Sequence, residues 1–528
     1  MKLKELRLKR LENKLGYKPY FSWVKDYWTS RGRKLDFKQH KYLEVIYKDQ
    51  SLELCYLKAS QTGLTERAIT EALWLPDQFK ENSIYFFPTS GTIGDLVQER
   101  VDDPLNNNKY LFEVSGRAKR IMGKWADKVG LKRMSKGFVY FRGSNKPTQI
   151  TSVAGDVVFI DELDRMVQES VPYMDKRLEH SNRKWIRTLS TPTIPGFGID
   201  KVFQQSDRHE YWVRCDHCGK LQLLDFFANV KYDIDKDQII NERVICSKCE
   251  KIIVPWALEG VWMDFDGKPW TKEKKDGLRG FHITQLCSPR CDLKKMIKSS
   301  LMTSEWEIQQ FYNQNLGLAY EPKGSKLTEE DFSGATRDYF IPYKEKNEGS
   351  FMGVDVGKVL HIVIRDKDRV LFIGERNDFE DLDRLMAEFN VKTAVIDALP
   401  ETRKAQEFCN RKKGRVSLCY YSGIKEIKDG EWFKKTEGKV NTDRTLSLDK
   451  SINQIKQQNI WLPKNLNSVP DFKTHCKALI RNTKTTKDGN LVAEYVQIGP
   501  DHYAHAFNYC NIAFSIYEKT PVFGVMSM

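Results

Sequence analysis

The stretch Leu54-Cys-Tyr-Leu-Lys58-Ala-Ser-Gln-Thr-Gly63-Leu-Thr65-Glu66 constrains this chain most. An apolar, strand-like run leads into a short polar loop with one glycine, and a helix-compatible segment, Glu66 to Leu75, follows. Strand, small-residue loop and helix N-terminus together make a phosphate cradle, because free backbone N–H groups and the helix dipole point at the anion. The usual nucleotide loop reads G-x-x-x-x-G-K-[ST]. Here Lys58 stands at the first glycine and Leu64 at the lysine, while Thr65 keeps the hydroxyl that binds Mg²⁺. One lysine lost and one gained in a single loop suggests relocation. Lys58 would reach the phosphates from the other end, over Ala59, Ser60, Gln61, Thr62, Gly63 and Leu64.

A partner for this loop follows at Gly155-Asp-Val-Val-Phe-Ile160-Asp161-Glu162-Leu-Asp164, an apolar strand ending in two adjacent carboxylates. Uncompensated acids are costly in a core and natural where a metal sits. Asp161 is expected to hold Mg²⁺, and Glu162 to orient and deprotonate the attacking water. The two halves in this order read as a P-loop ATPase. Arg100, after the strand-like Ser83–Phe87, is a candidate arginine finger or a surface arginine. Ser190 and Thr191, ending the run from Arg187, are placed to sense the γ-phosphate. Gln39, ahead of the nucleotide strand, is a candidate adenine reader.

A length of 528 residues allows two to four domains. The formal charge of +14 favours a polyanionic partner, and residues 1–50 are locally basic and read as helix with an aromatic segment. No apolar run approaches a membrane span, and the N-terminus lacks a signal core, which argues against secretion. The expected boundaries are an N-terminal helical segment 1–50, an ATPase core 51–205 with a largely parallel α/β sheet, a zinc insertion 206–255, the rest of the ATPase domain 256–320, a polar linker 321–350 and a nuclease domain 351–528.

Cys215-Asp-His-Cys218 and, 28 residues after Cys218, Cys246-Ser-Lys-Cys249 form two knuckles that fit a structural Cys₄ zinc site. His217 is a bystander, and Cys287 and Cys291 are ordinary thiols. Beyond the polar stretch, Phe351-Met-Gly-Val-Asp355 and two further strands begin an RNase H-like sheet. Asp397 ends another strand, and Asp501 and His505 share a face of the last helix. Such acids converging on one sheet end would hold two divalent metals, Mg²⁺ or Mn²⁺, for phosphodiester hydrolysis.

With these parts in this order, the chain resembles the large subunit of tailed-phage terminases, particularly the lambda-like branch, over nearly its whole length. That branch has a phosphate loop with its lysine at the front, as at Lys58, and a Cys₄ insertion, as at Cys215, Cys218, Cys246 and Cys249. Its acidic strand matches Asp161 and Glu162, its coupling motif Ser190-Thr191-Pro192, and its nuclease acids Asp355, Asp397 and the Asp501 helix. Many relatives carry a second aspartate where this chain has His505, so either Asp501 or His505 completes the metal cluster, the histidine favouring Mn²⁺. The resemblance implies a DNA-packaging motor in the host cytoplasm, with double-stranded DNA, a small terminase subunit and the procapsid portal as partners. It also implies a homo-oligomeric ring. Two competing readings are a helicase or remodelling ATPase with an inactive RNase H-like domain, and a zinc-centred DNA-binding protein or transposase. The second leaves Lys58 to Thr65 and Asp161-Glu162 without a role.

Overall fold

The computed structural model describes residues 16–30, 32–117, 128–236, 238–272, 277–344, 349–422, 432–485 and 490–519, so the basic start of the N-terminal segment lies outside the described residues. The chain divides into two compact units, Met1–Glu321 and Pro322–Met528.

In the first unit, helices α1 (Tyr20–Tyr27) and α2 (Lys41–Lys48) precede strand β1 (Glu53–Lys58), which turns into helix α3 (Leu64–Gln78). The expectation of continuous helix to residue 50 fails between α1 and α2, where Thr29–Ser30 pairs with Arg33–Lys34 as a minimal hairpin. Gly32, with φ of 73°, makes that turn. Strands β2 (Ser83–Phe87), β3 (Leu131–Arg133), β4 (Phe138–Gly143), β5 (Val157–Asp161), β6 (Trp185–Ser190), β7 (His209–Arg214), β8 (Leu221–Leu223), β9 (Gly260–Met263) and β10 (Leu278–Ile283) follow. They complete a ten-stranded sheet of order β8-β7-β10-β1-β6-β5-β2-β4-β3, with β9 also paired to β7. The seven strands from β7 to β4 run parallel. Every residue of β2 and β5 is buried, as expected of central strands covered on both faces. Leu54 and Tyr56 face α1, α2 and α3, while Cys55 and Leu57 face a second core holding Met174, Ile199 and Phe203.

A fully buried ionic triad joins the helix of the phosphate loop to the sheet. Glu71 on α3 bonds Arg67 one turn earlier and lies 2.8 Å from Arg187 Nε on β6, and all three side chains are wholly inaccessible. Arg187 Nη1 also donates to the carbonyls of Ser51 and Leu52 at 3.0 Å, just before β1. The rings of Tyr20 and Tyr56 lie 5.5 and 5.4 Å from the Arg67 guanidinium and take up part of the excess positive charge. Burial pushes the Glu71 carboxyl up, but Arg187 and Arg67 outweigh it and hold it below its usual range.

The second unit begins inside the stretch expected to be linker. Helix α5 (Glu329–Ala335; α4 is Gly198–Gln204 of the first unit) starts at a capping box between Thr328 and Asp331. Leu327, Phe332, Ala335 and Ile341 are buried with Leu448 and Phe472. Four apolar residues scattered among charges are enough to dock the segment, and too few for their periodicity to show in the sequence. Strands β11 (Ser350–Val356), β12 (Leu360–Arg365), β13 (Val370–Arg376), β14 (Val391–Asp397), β15 (Val416–Tyr421), β16 (Phe433–Thr436) and β17 (Lys439–Thr442) form a sheet of order β13-β12-β11-β14-β15-β17-β16. The first three are antiparallel and β14, β15 and β17 run parallel to β11, the RNase H-like arrangement expected. Helices α6 (Phe379–Glu388) and α7 (Thr402–Arg411) cover one face. Helices α8 (Arg444–Lys456), α9 (Pro470–Lys477) and α10 (His502–Glu518) cover the other. A Cβ on Gly353 would overlap Ala506 O and Cys510 N of α10, so only glycine lets this helix lie so close to β11.

Removing one charge from the buried triad leaves the others unpaired. Glu71→Gln should destabilise the first unit by about 3–5 kcal/mol, read as a fall in its denaturation midpoint. A loss below about 1 kcal/mol, the range of exposed pairs, would contradict the role given to the triad.

Candidate functional site

The phosphate loop occupies the C-terminal end of β1, and two of its residues take left-handed backbone: Gln61 with φ of 60° and Gly63 with φ of 86°. Ala59 N–H donates to Ile283 O and Ser60 N–H to Gln314 O, at 2.9 and 2.8 Å. Thr62 Oγ1 donates to Ala59 O, and Tyr42 Oη donates to Thr62 O, both at 3.0 Å. The loop is therefore held from behind, while Leu64, Thr65 and Glu66 open α3 with the N–H groups that a helix leaves unpaired. Leu64 is buried in the core and cannot offer a substitute for the missing lysine. Gln39 is exposed, two residues before α2.

Lys58 closes β1 with its ammonium 3.5 Å from Glu162 Oε1, so the two charged strand ends face each other across the sheet. Asp161 ends β5 and Glu162 follows it. Tyr85 donates to Asp161 Oδ2 at 2.8 Å, whereas Oδ1 is buried with no hydrogen-bond partner among the described residues. Burial raises the Asp161 carboxyl, and the Lys58 ammonium opposes the rise. An orphaned carboxylate oxygen near Thr65 fits a bound cation. Glu162 has left-handed backbone, φ 61°, unusual for a residue with a long side chain. Burial raises its carboxyl, but Lys58 and Arg165 hold it below its usual range. Arg100 is exposed on the π-helical stretch Gln98–Asp102, close enough to contribute to that field. Arg165, 3.6 Å from Glu162 and 68% exposed, is a second cation there that the sequence reading did not single out.

Ser190 and Thr191 are buried at the end of β6, beside the acids: Glu162 N–H donates to Leu189 O and Asp164 N–H to Ser190 Oγ. Asp164, quoted in the motif but given no role, is the hub of this region. It accepts from Thr193 N–H, Thr193 Oγ1 and Ile199 N–H at 2.8–2.9 Å, joining the acidic turn, the Ser190–Thr193 run and α4. Burial pushes its carboxyl up to about 7 against these donors. Gly198 is pressed against the same carboxylate. The segment 311–317 was also missed. Gln314 receives the Ser60 N–H, Asn313 donates to Thr193 O at 2.9 Å, and Gly317 packs on the Ala59 backbone. No motif marks these residues, because their role comes from where the chain returns.

Cys215, Cys218, Cys246 and Cys249 each place Sγ within 4.8 Å of the others. Cys215–Cys249 and Cys218–Cys246 are 3.8 and 3.7 Å apart, which matches the edge of a tetrahedron of about 2.3 Å Zn–S bonds, about 3.8 Å. The knuckles are alike: Gly219 N–H returns to Cys215 O and Glu250 N–H to Cys246 O, both at 2.9 Å and both with left-handed backbone. His217 turns away to Ile252 O, and Cys287 is buried in the core outside the cluster. The thiolates therefore fit a structural zinc ion.

In the second unit Asp355 and Asp397 are neighbours on the parallel strands β11 and β14, one residue past the paired Val354 and Ile396. Burial, and next the charge of Asp355, raise the Asp397 carboxyl to about 6. Asp501 and His505 share one face of α10, as their spacing implies. Asp501 accepts from Gln497 Nε2 at 2.9 Å, and its other oxygen lies 3.2 Å from His505 Nε2 and 3.7 Å from Arg444. His505 Nδ1 is 2.7 Å from Tyr421 Oη. Both candidate third ligands are thus occupied by protein partners, and His502, which the sequence reading passed over, sits with Nδ1 2.9 Å from Asp355 Oδ2. The hydrogen bond to Asp355 raises the His502 pKa.

Two measurements follow from these sites. Cys246→Ser should lose its zinc by metal analysis; full occupancy would refute the ligand set. For Asp164, a folded pKa near 7 lies above the unfolded value of about 3.9, so the folded form binds the extra proton between them. Stability from this group is full below about pH 4 and is lost as pH rises through 7. Asp164→Asn should flatten the fall in unfolding midpoint from pH 5 to pH 8; an unchanged slope would contradict it.

The sequence of residues 39–258 matches the family model described as phage terminase large subunit gpA, ATPase domain. No curated protein matches the chain. Among solved structures, a large terminase from a thermophilic bacteriophage is similar at 11% identity and TM-score 0.30, covering 95% of this chain and 99% of that one. The ATPase domain of Thermus phage P74-26 large terminase is similar at 13% identity and TM-score 0.33, covering 54% and 94%. The large terminase nuclease of thermophilic phage G20c is similar at 13% identity and TM-score 0.23, covering 34% and 97%. Likenesses this loose assign no residue its role. The family match falls on the segment that holds the phosphate loop, the acidic strand and the four cysteines, and that segment is similar to the ATPase domain of the phage terminase large subunit.

Proposed function

We propose that this chain is a viral DNA-packaging motor subunit that hydrolyses ATP to drive double-stranded DNA into a procapsid and cuts concatemeric DNA with its second unit. The observation that carries the reading is the pairing of Lys58 with Glu162 beside the orphaned oxygen of Asp161, within the segment that matches the terminase ATPase family. Lys58 binds the β- and γ-phosphates, with the N–H groups of Thr62 to Thr65 around them. Asp161 and Thr65 hold Mg²⁺, which neutralises charge on the phosphates. Glu162 orients the attacking water and takes its proton. In the absence of nucleotide Lys58 occupies this carboxylate, and phosphate binding draws the ammonium away and frees it. Arg100 and Arg165 are the cations available to the transferring phosphate. Ser190 and Thr191 register its loss, and Asp164 passes the change to α4.

In the second unit Asp355 and Asp397 hold the divalent ions of the nuclease, Mg²⁺ or Mn²⁺. Asp501 and His505 act with Arg444 and Tyr421 as positioning residues for the end of α10. The positive net charge suits a channel that tracks phosphates with strong salt dependence and little sequence preference. A small terminase subunit, the portal and a ring of copies are the partners of such a motor, and the host cytoplasm its place; no helix of the described residues is long and apolar enough to cross a membrane.

ATPase and plasmid-cleavage assays on one preparation test both activities. Lys58→Ala should lower ATP turnover by at least about 100-fold, the scale for removing a charge-stabilising donor, and leave metal-dependent cutting in place. Asp397→Ala should do the reverse. Wild-type ATP turnover by Lys58→Ala would end the relocated-lysine reading, and unimpaired cutting by Asp397→Ala would end the nuclease assignment. Strand separation without cutting would favour a helicase.

A further inference from the structure

We propose that Asp355, His361 and His502 form a binding site for one divalent transition-metal ion, with imidazole nitrogens as two of its protein ligands. The site shares Asp355 with the proposed nuclease centre and so deepens that reading, although its binding can be measured without DNA.

Topology builds the site. Asp355 on β11 stands directly opposite His361 on β12, and His361 stands opposite Glu375 on β13. His502 is the first residue of α10, brought onto β11 by the close approach at Gly353. The three residues each offer one ligand atom, and these atoms lie within 4.8 Å of one another. His361 is 94% buried, since its relative exposure is 6%. Its Nε2 lies 3.2 Å from Glu375 Oε1, and its Nδ1 is buried with no hydrogen-bond partner among the described residues. A carboxylate on one ring nitrogen and an unsatisfied second nitrogen is the arrangement that orients a metal-binding histidine. His502 Nδ1 and Asp355 Oδ2 are 2.9 Å apart. Adjacent ligands on bonds of about 2.0–2.1 Å are about 3 Å apart, so an ion can enter this pair with little rearrangement. The His361 and His502 rings stack at 4.6 Å and 15°, which fixes their orientation.

Two imidazoles and one carboxylate set the class of ion. Mg²⁺ keeps oxygen ligands and its waters, whereas ions such as Mn²⁺, Co²⁺ or Zn²⁺ accept ring nitrogen. The site therefore gives this unit a preference for a transition metal over Mg²⁺ that an all-carboxylate centre lacks.

The test is Mn²⁺ binding to the full chain, with its cysteine-bound zinc in place and without nucleotide or DNA, followed by electron paramagnetic resonance. The wild type should bind Mn²⁺ against a tenfold excess of Mg²⁺, and spin-echo modulation should show directly coordinated ¹⁴N. His361→Gln and His502→Gln should each weaken this binding at least about tenfold and remove part of the modulation. Bound Mn²⁺ without ¹⁴N coupling in the wild type overturns the inference, a result that needs no variant to fold. Binding by both Gln variants equal to wild type also overturns it. Metal-dependent cutting that requires Asp397 would survive either result, and loss of cutting with ¹⁴N coupling retained would count against the nuclease reading alone.

Discussion

Glu71, with no exposed surface and a guanidinium on either side, sets the geometry of the first unit. It sits on the helix that leaves the phosphate loop, paired within that helix to Arg67, and Arg187 fixes it to the strand that ends in Ser190. The same Arg187 holds the carbonyls just before β1. Three elements of the nucleotide site are therefore registered from the buried end of the sheet. Buried ion pairs add little net stability but are costly to break, so their effect is to allow one arrangement of helix and strands. At the opposite, C-terminal ends of those strands the backbone is unusual: Gln61, Gly63 and Glu162 all take positive φ. Such conformations persist only when the surroundings over-determine them, and the triad with the packed tyrosines supplies that constraint.

The second unit solves a similar problem through a close backbone approach and strand register. A missing side chain at Gly353 lets α10 touch β11, and the antiparallel register of β11, β12 and β13 lines up Asp355, His361 and Glu375. Chemistry is concentrated where a helix N-terminus meets the end of the first strand. Asp501, the N-cap position of α10, makes no capping bond and is held by Gln497 and His505 instead. That arrangement leaves His502, rather than Asp501, turned to Asp355.

Much of the architecture was legible in the sequence because apolar runs bounded by loops report buried strands directly. Lys58, Asp161, Glu162 and the four cysteines could be found because each stands in a fixed local spacing. Asp164 was visible in its motif, yet its role depends on Thr193 and Ile199, whose positions only the fold supplies. Gln314 and Gly317 reach the phosphate loop through a return of the chain more than 250 residues later, which no local pattern encodes. His361 lay unremarked in an apolar strand because its partners come from pairing register. Helix α5 escaped notice because a capping box and a few apolar residues sit in an otherwise charged stretch. The reading of Asp501 and His505 as a shared helix face was geometrically sound, since the two are 3.2 Å apart. His502, between them, is the residue of that turn that reaches Asp355.

The central claim is that a lysine at the front of the loop replaces the one missing at Leu64. A structure of the protein with a non-hydrolysable ATP analogue and Mn²⁺, with anomalous data at the manganese edge, tests it most directly. The account places Lys58 Nζ within hydrogen-bond distance of the β- or γ-phosphate, its contact with Glu162 broken, and a manganese peak between Asp161 and Thr65. A triphosphate bound in the loop with Lys58 still on Glu162, or a metal peak away from Asp161, would contradict it.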